Sequence, residues 1–140
     1  MKASLIYRVA AVLLLLFAIG HTYSFNQVDP HWGLATMLGE MRGIRFAIGA
    51  ISRTYWDFYL AGGLTAGIFY LFSAILAWQL GSVRPETLRE LRLVTWAFPI
   101  AFAGVFAVSE IHLFLIPQMF SAAVTICLAV AAWLARKESA

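Results

Sequence analysis

The sequence predicts an all-α membrane protein, a four-transmembrane-helix bundle with a short interfacial helix in the first outer loop. The chain of 140 residues is 62% hydrophobic and only 12% charged, whereas soluble domains carry about 25% charged residues. Its apolar residues also fall into four long runs, and a helix needs about 20 such residues to cross a bilayer. We therefore expect a single membrane domain covering residues 1–140.

The four predicted spans cover residues 5–23, 58–80, 93–113 and 117–135. Backbone N–H and C=O groups in lipid must find partners within the protein, and a helix satisfies them within one segment. The strands of a small membrane barrel would alternate apolar and polar residues, and no such alternation is visible. These runs therefore favour helices.

The positions of the basic residues predict how the spans are oriented. Cytoplasmic loops of membrane proteins are enriched in Lys and Arg. Most of the 10 basic residues fall on one predicted side, namely Lys2, Arg8, Arg84, Arg89, Arg92, Arg136 and Lys137. We expect a multi-pass membrane protein with both termini cytoplasmic. The first span also resembles a signal peptide, with Ala18 and Gly20 at a cleavage-like spacing, although Arg8 departs from that pattern.

The outer loop, residues 24–56, contains a further helical pattern. Apolar residues recur at helical spacing at Leu34, Leu38, Met41, Ile44 and Ile48. We expect a short helix that lies on the outer membrane surface and ends around the glycines or Ser52. It would act either as a lid on the bundle or as a plain interfacial anchor.

Ionisable residues are concentrated on the outward half of the chain. The candidate binding residues are His21, Glu40, Arg42, Arg45, Asp57, Glu110 and His112. Glu110 is the strongest candidate among them, because the apolar sequence continues past it to Ile116. An ionisable group within a membrane span is a candidate functional site by default. Glu110 and His112 lie about 200° apart around a regular helix, so they face different directions. His21 is the better neighbour for Glu110 if the first and third spans are adjacent, which the sequence leaves open.

Three interpretations of these residues remain open. They could form a structural network that ties the outer loop to the bundle. They could line an outward-facing pocket for a lipidic or hydrophobic small molecule. They could also be catalytic, with Glu110 and His21 moving protons on a lipid-like substrate. The histidine spacings match no metal-ligand pattern, and neither a metal nor another cofactor is predicted.

The partners follow from the same composition. We expect a membrane lipid, a hydrophobic small molecule or a membrane-protein partner. We expect no nucleic acid, because the net charge of +3 is small and the placement of the basic residues suggests no stripe for binding it. Gly63 and Gly67 form a GxxxG pattern, which indicates either packing within the chain or a homodimer. Cys127 is the single cysteine, which excludes CxxC redox chemistry.

A resemblance to a known family rests on four stretches of the sequence. These are GHTYSF at 20–25, RTYWDFYLAGG at 53–63, AWQLG at 77–81 and MFSAAVTICLAVAAWLA at 119–135. They resemble a family of short bacterial four-helix integral membrane proteins without an established activity. The resemblance implies the topology and a location in the bacterial inner membrane. It also puts His21, Trp56 and Asp57 into segments that recur in the family.

At the level of architecture the chain is also similar to DoxX-like proteins and to the sterol-isomerase-related four-helix domain. The second similarity implies an isomerase-like membrane enzyme as an alternative function. A structural accessory subunit of a membrane complex is the other alternative. The function that the sequence favours is binding of a lipidic small molecule or a membrane partner.

Overall fold

The computed structural model of the chain describes residues 2–24, 27 and 30–138. In chain order the elements are α1 (Lys2–Ser24), a 3₁₀ turn (Pro30–Trp32), α2 (Ala35–Gly43), β1 (Arg45–Ile48), β2 (Ile51–Thr54), α3 (Tyr55–Leu80), α4 (Pro85–Glu90), α5 (Arg92–His112) and α6 (Leu115–Glu138). The chain divides into two compact units, a bundle unit of Met1–Phe17 and Tyr70–Ala140 and a hairpin unit of Ala18–Phe69.

Four of the helices, α1, α3, α5 and α6, are long and apolar enough to cross a membrane. Each of them exposes large apolar side chains, for example Leu5, Ile68, Ile100 and Ile126. A helix that is apolar on its exposed side as well as its buried side is typical of a membrane span. The protein is therefore a multi-pass membrane protein, and the predicted all-α fold is confirmed.

The ends of the helices differ slightly from the predicted spans. The second span begins earlier than predicted, at Tyr55, because β2 leads directly into it. The short helix α4 lies between the second and third spans and was not expected from the sequence. Pro85 opens α4, in a position where the missing N–H of proline costs little.

The bundle unit has a continuous apolar core. Helix α1 contributes Ala3, Tyr7, Ala10 and Leu14, which repeat at three- and four-residue intervals and are all buried. This spacing puts them on one face of the helix. The core residues of the later helices are Ala74, Ala77, Leu80, Leu88, Phe98, Phe102, Val124, Leu128, Ala131 and Ala135.

Small residues bring the helix backbones of the bundle unit close together. Gly81, at the end of α3, lies against the start of α1, and the Ser4 hydroxyl donates a hydrogen bond to its carbonyl oxygen. A Cβ atom added to Gly81 would lie 2.9 Å from the backbone carbonyl oxygen of Ser4. Apolar surface gains little by leaving lipid for another apolar surface, so close packing of this kind stabilises helix pairs in membranes.

Several hydroxyl groups of the bundle unit are satisfied by their own helices, whereas the buried Tyr7 hydroxyl has no hydrogen-bond partner among the described residues. Ser109 Oγ donates to the carbonyl oxygen of Val105 at 2.8 Å, and Thr125 Oγ1 donates to that of Ser121 at 2.7 Å. A buried hydroxyl without a partner would be costly in a medium that offers no water. Ser109 and Thr125 can therefore lie within the membrane without forming a polar site.

The hairpin unit contains a β-hairpin that the sequence did not predict. Strands β1 and β2 pair antiparallel, with Arg45 opposite Thr54 and Ile48 opposite Ile51. The two residues between the strands are Gly49 and Ala50, and of these only Gly49 has a positive φ, 61°. This combination fits a type II′ turn, in which glycine takes the first central position.

The expected interfacial helix is correct only in its first part. Helix α2 covers Ala35–Gly43, so Leu38 and Met41 are helical as predicted. The extension through Ile44 and Ile48 to Ser52 is wrong, because the chain turns into β1 after α2. The β-branched side chains of Ile48, Ile51 and Thr54 favour strand, and the Gly49 turn closes it into a hairpin.

Candidate functional site

Asp57, a predicted binding residue, caps the start of α3. Its Oδ2 atom accepts hydrogen bonds from the Thr54 backbone N–H at 2.7 Å and from the Thr54 hydroxyl at 3.0 Å. In return, Thr54 Oγ1 accepts a hydrogen bond from the Asp57 N–H at 3.1 Å. These reciprocal bonds form a capping box, which satisfies N–H groups that the first turn of a helix leaves without partners.

His21 joins α1 to α3 within the hairpin unit. Its Nε2 atom lies 3.0 Å from the carbonyl oxygen of Gly63, so the ring donates to a backbone acceptor. One turn further along α3, Gly67 is buried, and a Cβ atom there would lie 2.6 Å from Thr22 Oγ1. Both glycines of the GxxxG pattern thus contact α1. They pack within the chain, as one of the two sequence interpretations expected, while a homodimer through them stays a prediction.

Arg42 contacts one of the aromatic side chains of the hairpin unit. The guanidinium of Arg42 lies over the ring of Trp56, 4.4 Å from its centroid, which is cation–π geometry. The ring of Phe46 packs against Tyr55 and Phe58, with centroids 5.3 and 5.1 Å away. Glu40 and Arg45 are exposed.

Glu110 and His112 lie in the last turn of α5, and both side chains are exposed. The polar contacts at this end of the bundle unit come from Gln118 instead. Its Nε2 atom donates to the carbonyl oxygen of Leu113 at 2.9 Å and, more weakly, to that of Ser109 at 3.4 Å. The Leu113 carbonyl lies just past the end of α5, where backbone acceptors have no partner within the helix, whereas the Ser109 carbonyl also accepts from the Leu113 N–H at 2.9 Å. Glu110 is therefore exposed on the bundle unit and is not enclosed by its helices.

A cavity of about 350 Å³ lies in the bundle unit, and none of the predicted site residues lines it. Its lining residues are Leu88, Arg89, Arg92, Thr95, Trp96, Ala132, Ala135 and Arg136. They come from α4, from the first turns of α5 and from the last turns of α6. The three arginines belong to the segments that the distribution of charge predicts to be cytoplasmic.

The cavity has an apolar floor and a basic rim. Leu88, Ala132 and Ala135 are buried, and so is Thr95, whose hydroxyl donates to the carbonyl oxygen of Arg92 at 3.0 Å. The three arginine side chains are exposed, and Trp96 is half-buried. Such a site offers cationic donors to a polar group and apolar contacts to the group attached to it.

Among residues 2–24, 27 and 30–138, no group of three or more His, Cys, Asp or Glu side chains could hold a metal ion. Comparisons with protein families, with curated proteins and with solved structures find no match for this chain. The family resemblance of the four sequence stretches stays a prediction.

Two features of the site were open to sequence reasoning but were not identified by it. Thr54 and Asp57 stand in the T-x-x-D spacing of a capping box directly before an apolar run, so that pattern predicts a helix start. The arginines at 89, 92 and 136 carried an argument about orientation only. Two basic segments at the same predicted membrane surface could also have indicated a shared anion site.

Proposed function

We propose that the protein is a bacterial inner-membrane protein, with both termini cytoplasmic, that binds a lipidic small molecule in its bundle unit. The observation that carries the proposal is the cavity between α4, α5 and α6. The proposal keeps the predicted class of ligand. It moves the binding site from the outward end to the end that carries most of the basic residues.

The size of the cavity supports a small ligand group. Small-molecule sites in proteins measure about 300–1,000 Å³, and this cavity, at about 350 Å³, lies near the lower limit. It has room for the polar head of a lipid but not for its chains. Apolar surface for the lipid chains is present on α5, one of the helices that line the cavity, where the side chain of Leu93 is 84% exposed.

The predicted outward residues support a structural role better than a pocket. Asp57 is engaged in a capping box, His21 in a bond to the backbone, and Arg42 in a contact with Trp56. Each of these contacts stabilises the hairpin unit locally. We therefore do not propose a catalytic role for His21 or Glu110.

The test is identification of a retained molecule by native mass spectrometry of the protein purified in mild detergent. Wild type should retain a lipidic small molecule, and Ala132→Phe should lose it, because the new ring fills the cavity. Ala101→Phe is the matched control, since Ala101 is exposed on α5 and the same ring there meets only lipid. Circular dichroism would establish that both variants remain helical, and Ala132→Val provides a smaller filling substitution.

The proposal would be wrong if wild type retains no such molecule. It would also be wrong if Ala132→Phe, Ala132→Val and Ala101→Phe retain as much as wild type does while all three remain folded.

A further inference from the structure

The rim of the cavity concentrates positive charge from separate parts of the chain. Arg89 and Arg92 come from consecutive helices, and Arg136 comes from the end of α6, yet all three line one cavity of about 350 Å³. The acidic residues of α4, Glu86 and Glu90, do not line it. An anion in the cavity would lie near three positively charged side chains, and opposite charges attract.

The type of cation narrows the class of anion. All three basic side chains are arginines, whose planar guanidinium presents several donors in a fixed geometry that matches carboxylate and phosphate oxygens. A carboxylate has two oxygens to share among three guanidinium groups. A phosphate monoester has three non-bridging oxygens around a tetrahedral centre, and a phosphodiester has two non-bridging and two ester oxygens. These oxygens do not lie in one plane, so arginines can approach them from several directions.

The surroundings of the arginines fit a group at a membrane surface. Trp96 is half-buried at the rim, and tryptophan is enriched where lipid headgroups meet the hydrocarbon. Basic pockets between transmembrane helices on the cytoplasmic side are suited to anionic headgroups. The floor of Leu88, Ala132 and Ala135 would contact the carbon atoms next to the phosphate.

We infer that the cavity lined by Arg89, Arg92 and Arg136 binds the phosphate group of an anionic ligand. This inference rests on the proposed function and specifies its ligand. The same phosphate chemistry is available from an anionic phospholipid in the bilayer and from a soluble phosphate ester.

The experiment compares two variants that lose the same net charge. The first changes all three cavity arginines, Arg89→Gln, Arg92→Gln and Arg136→Gln. The second changes three basic residues on the same predicted side that do not line the cavity, Lys2→Gln, Arg84→Gln and Lys137→Gln. Binding of phosphatidylglycerol and of phosphatidylcholine is measured for each variant by native mass spectrometry after reconstitution in nanodiscs.

Wild type should bind phosphatidylglycerol at least about tenfold more tightly than phosphatidylcholine. The cavity variant should lose that preference, because each lost charge-assisted hydrogen bond weakens binding by about tenfold or more. The control variant should keep most of it, because a general attraction of anionic lipid to surface charge is the only term it loses. Adding sn-glycerol 3-phosphate distinguishes the two sources of phosphate. If it displaces phosphatidylglycerol at millimolar concentration, the site binds a soluble ester. If it does not, the site binds a lipid headgroup.

The inference would be overturned if the cavity variant and the control variant bind phosphatidylglycerol equally well. The inference would also be overturned if wild type retains phosphatidylglycerol and phosphatidylcholine equally well and Ala132→Phe loses both. The proposed function would then still hold. If Ala132→Phe and Ala101→Phe both retain lipid as wild type does, the proposed function fails along with the inference.

Discussion

The bundle unit and the hairpin unit are stabilised by different kinds of contact. In the bundle unit, side chains from α1, α3, α5 and α6 are buried against one another, and Tyr7, Leu14, Phe102 and Leu128 are fully buried. In the hairpin unit, the described residues that are buried are Ala18, Thr54 and Gly67. Its shape depends instead on a capping box, a ring stacked under an arginine and a pair of short strands.

This difference explains why polar side chains stabilise the hairpin unit. A segment that buries little apolar surface needs directional contacts to offset the conformational entropy lost on ordering. Asp57 and Arg42 supply such contacts, although in the sequence they suggest a ligand pocket. In the bundle unit, by contrast, the polar side chains that suggest a ligand are the three arginines around the apolar floor of the cavity.

The largest effect is expected from shortening a core side chain of the bundle unit. Leu128 is fully buried, whereas Ile126, on the same helix, is 62% exposed. Leu128→Ala should lower the free energy of unfolding by about 2–5 kcal/mol, since it leaves a cavity among packed helices. Ile126→Ala should change it little, because lipid replaces the lost contacts. Thermal unfolding in detergent measures both, and equal midpoints for the two variants would contradict a packed core.

A smaller effect is expected where two backbones meet in the bundle unit. Gly81→Ala would put a Cβ atom 2.9 Å from the Ser4 carbonyl oxygen, and overpacking of this kind costs about 1–3 kcal/mol. Gly104 is the matched control, because no atom lies within 4 Å of a Cβ atom added there. Gly104→Ala should leave the thermal midpoint unchanged or slightly raised, since alanine favours helix. A lower midpoint in Gly104→Ala than in Gly81→Ala would refute the close approach of α1 and α3.

The smallest effect is expected in the hairpin unit and should remain local. Thr54→Ala removes the hydroxyl that accepts from Asp57 and donates to it, and loss of an N-cap costs about 1 kcal/mol. Hydrogen exchange at the start of α3 should become faster, while exchange in the bundle core stays slow. Thr54→Ser keeps the hydroxyl and should exchange like wild type. If both variants exchange alike, the capping box does not stabilise this segment.

The fold could be predicted because the signals for it are local. Runs of apolar residues predict the four spans, and the helical spacing of Leu38 and Met41 predicts α2. The same spacing wrongly extends through Ile44 and Ile48, because a period of apolar residues cannot reveal a turn that depends on the positive φ of Gly49. Local signals therefore predict helices more securely than they predict where one kind of element replaces another.

The arginine cavity could not be predicted in the same way. Arg92 and Arg136 are far apart in the sequence, and only the packing of α5 and α6 brings them to one cavity. The sequence predicts that both lie on the same side of the membrane, but it does not predict that they lie close together. For Glu110 the difficulty is the reverse, since its apolar neighbours suggest enclosure and yet its side chain is exposed on the bundle unit.

The contact between α1 and α6 has a consequence for biosynthesis. The ring of Phe17 stacks on that of Phe120, with centroids 5.3 Å apart and the two planes within 9°, so an early segment of the chain packs against a late one. Helices insert into the bilayer individually and associate afterwards. Phe17 therefore cannot pack against Phe120 until α6 has left the ribosome, and before that lipid tails take the place of the Phe120 ring.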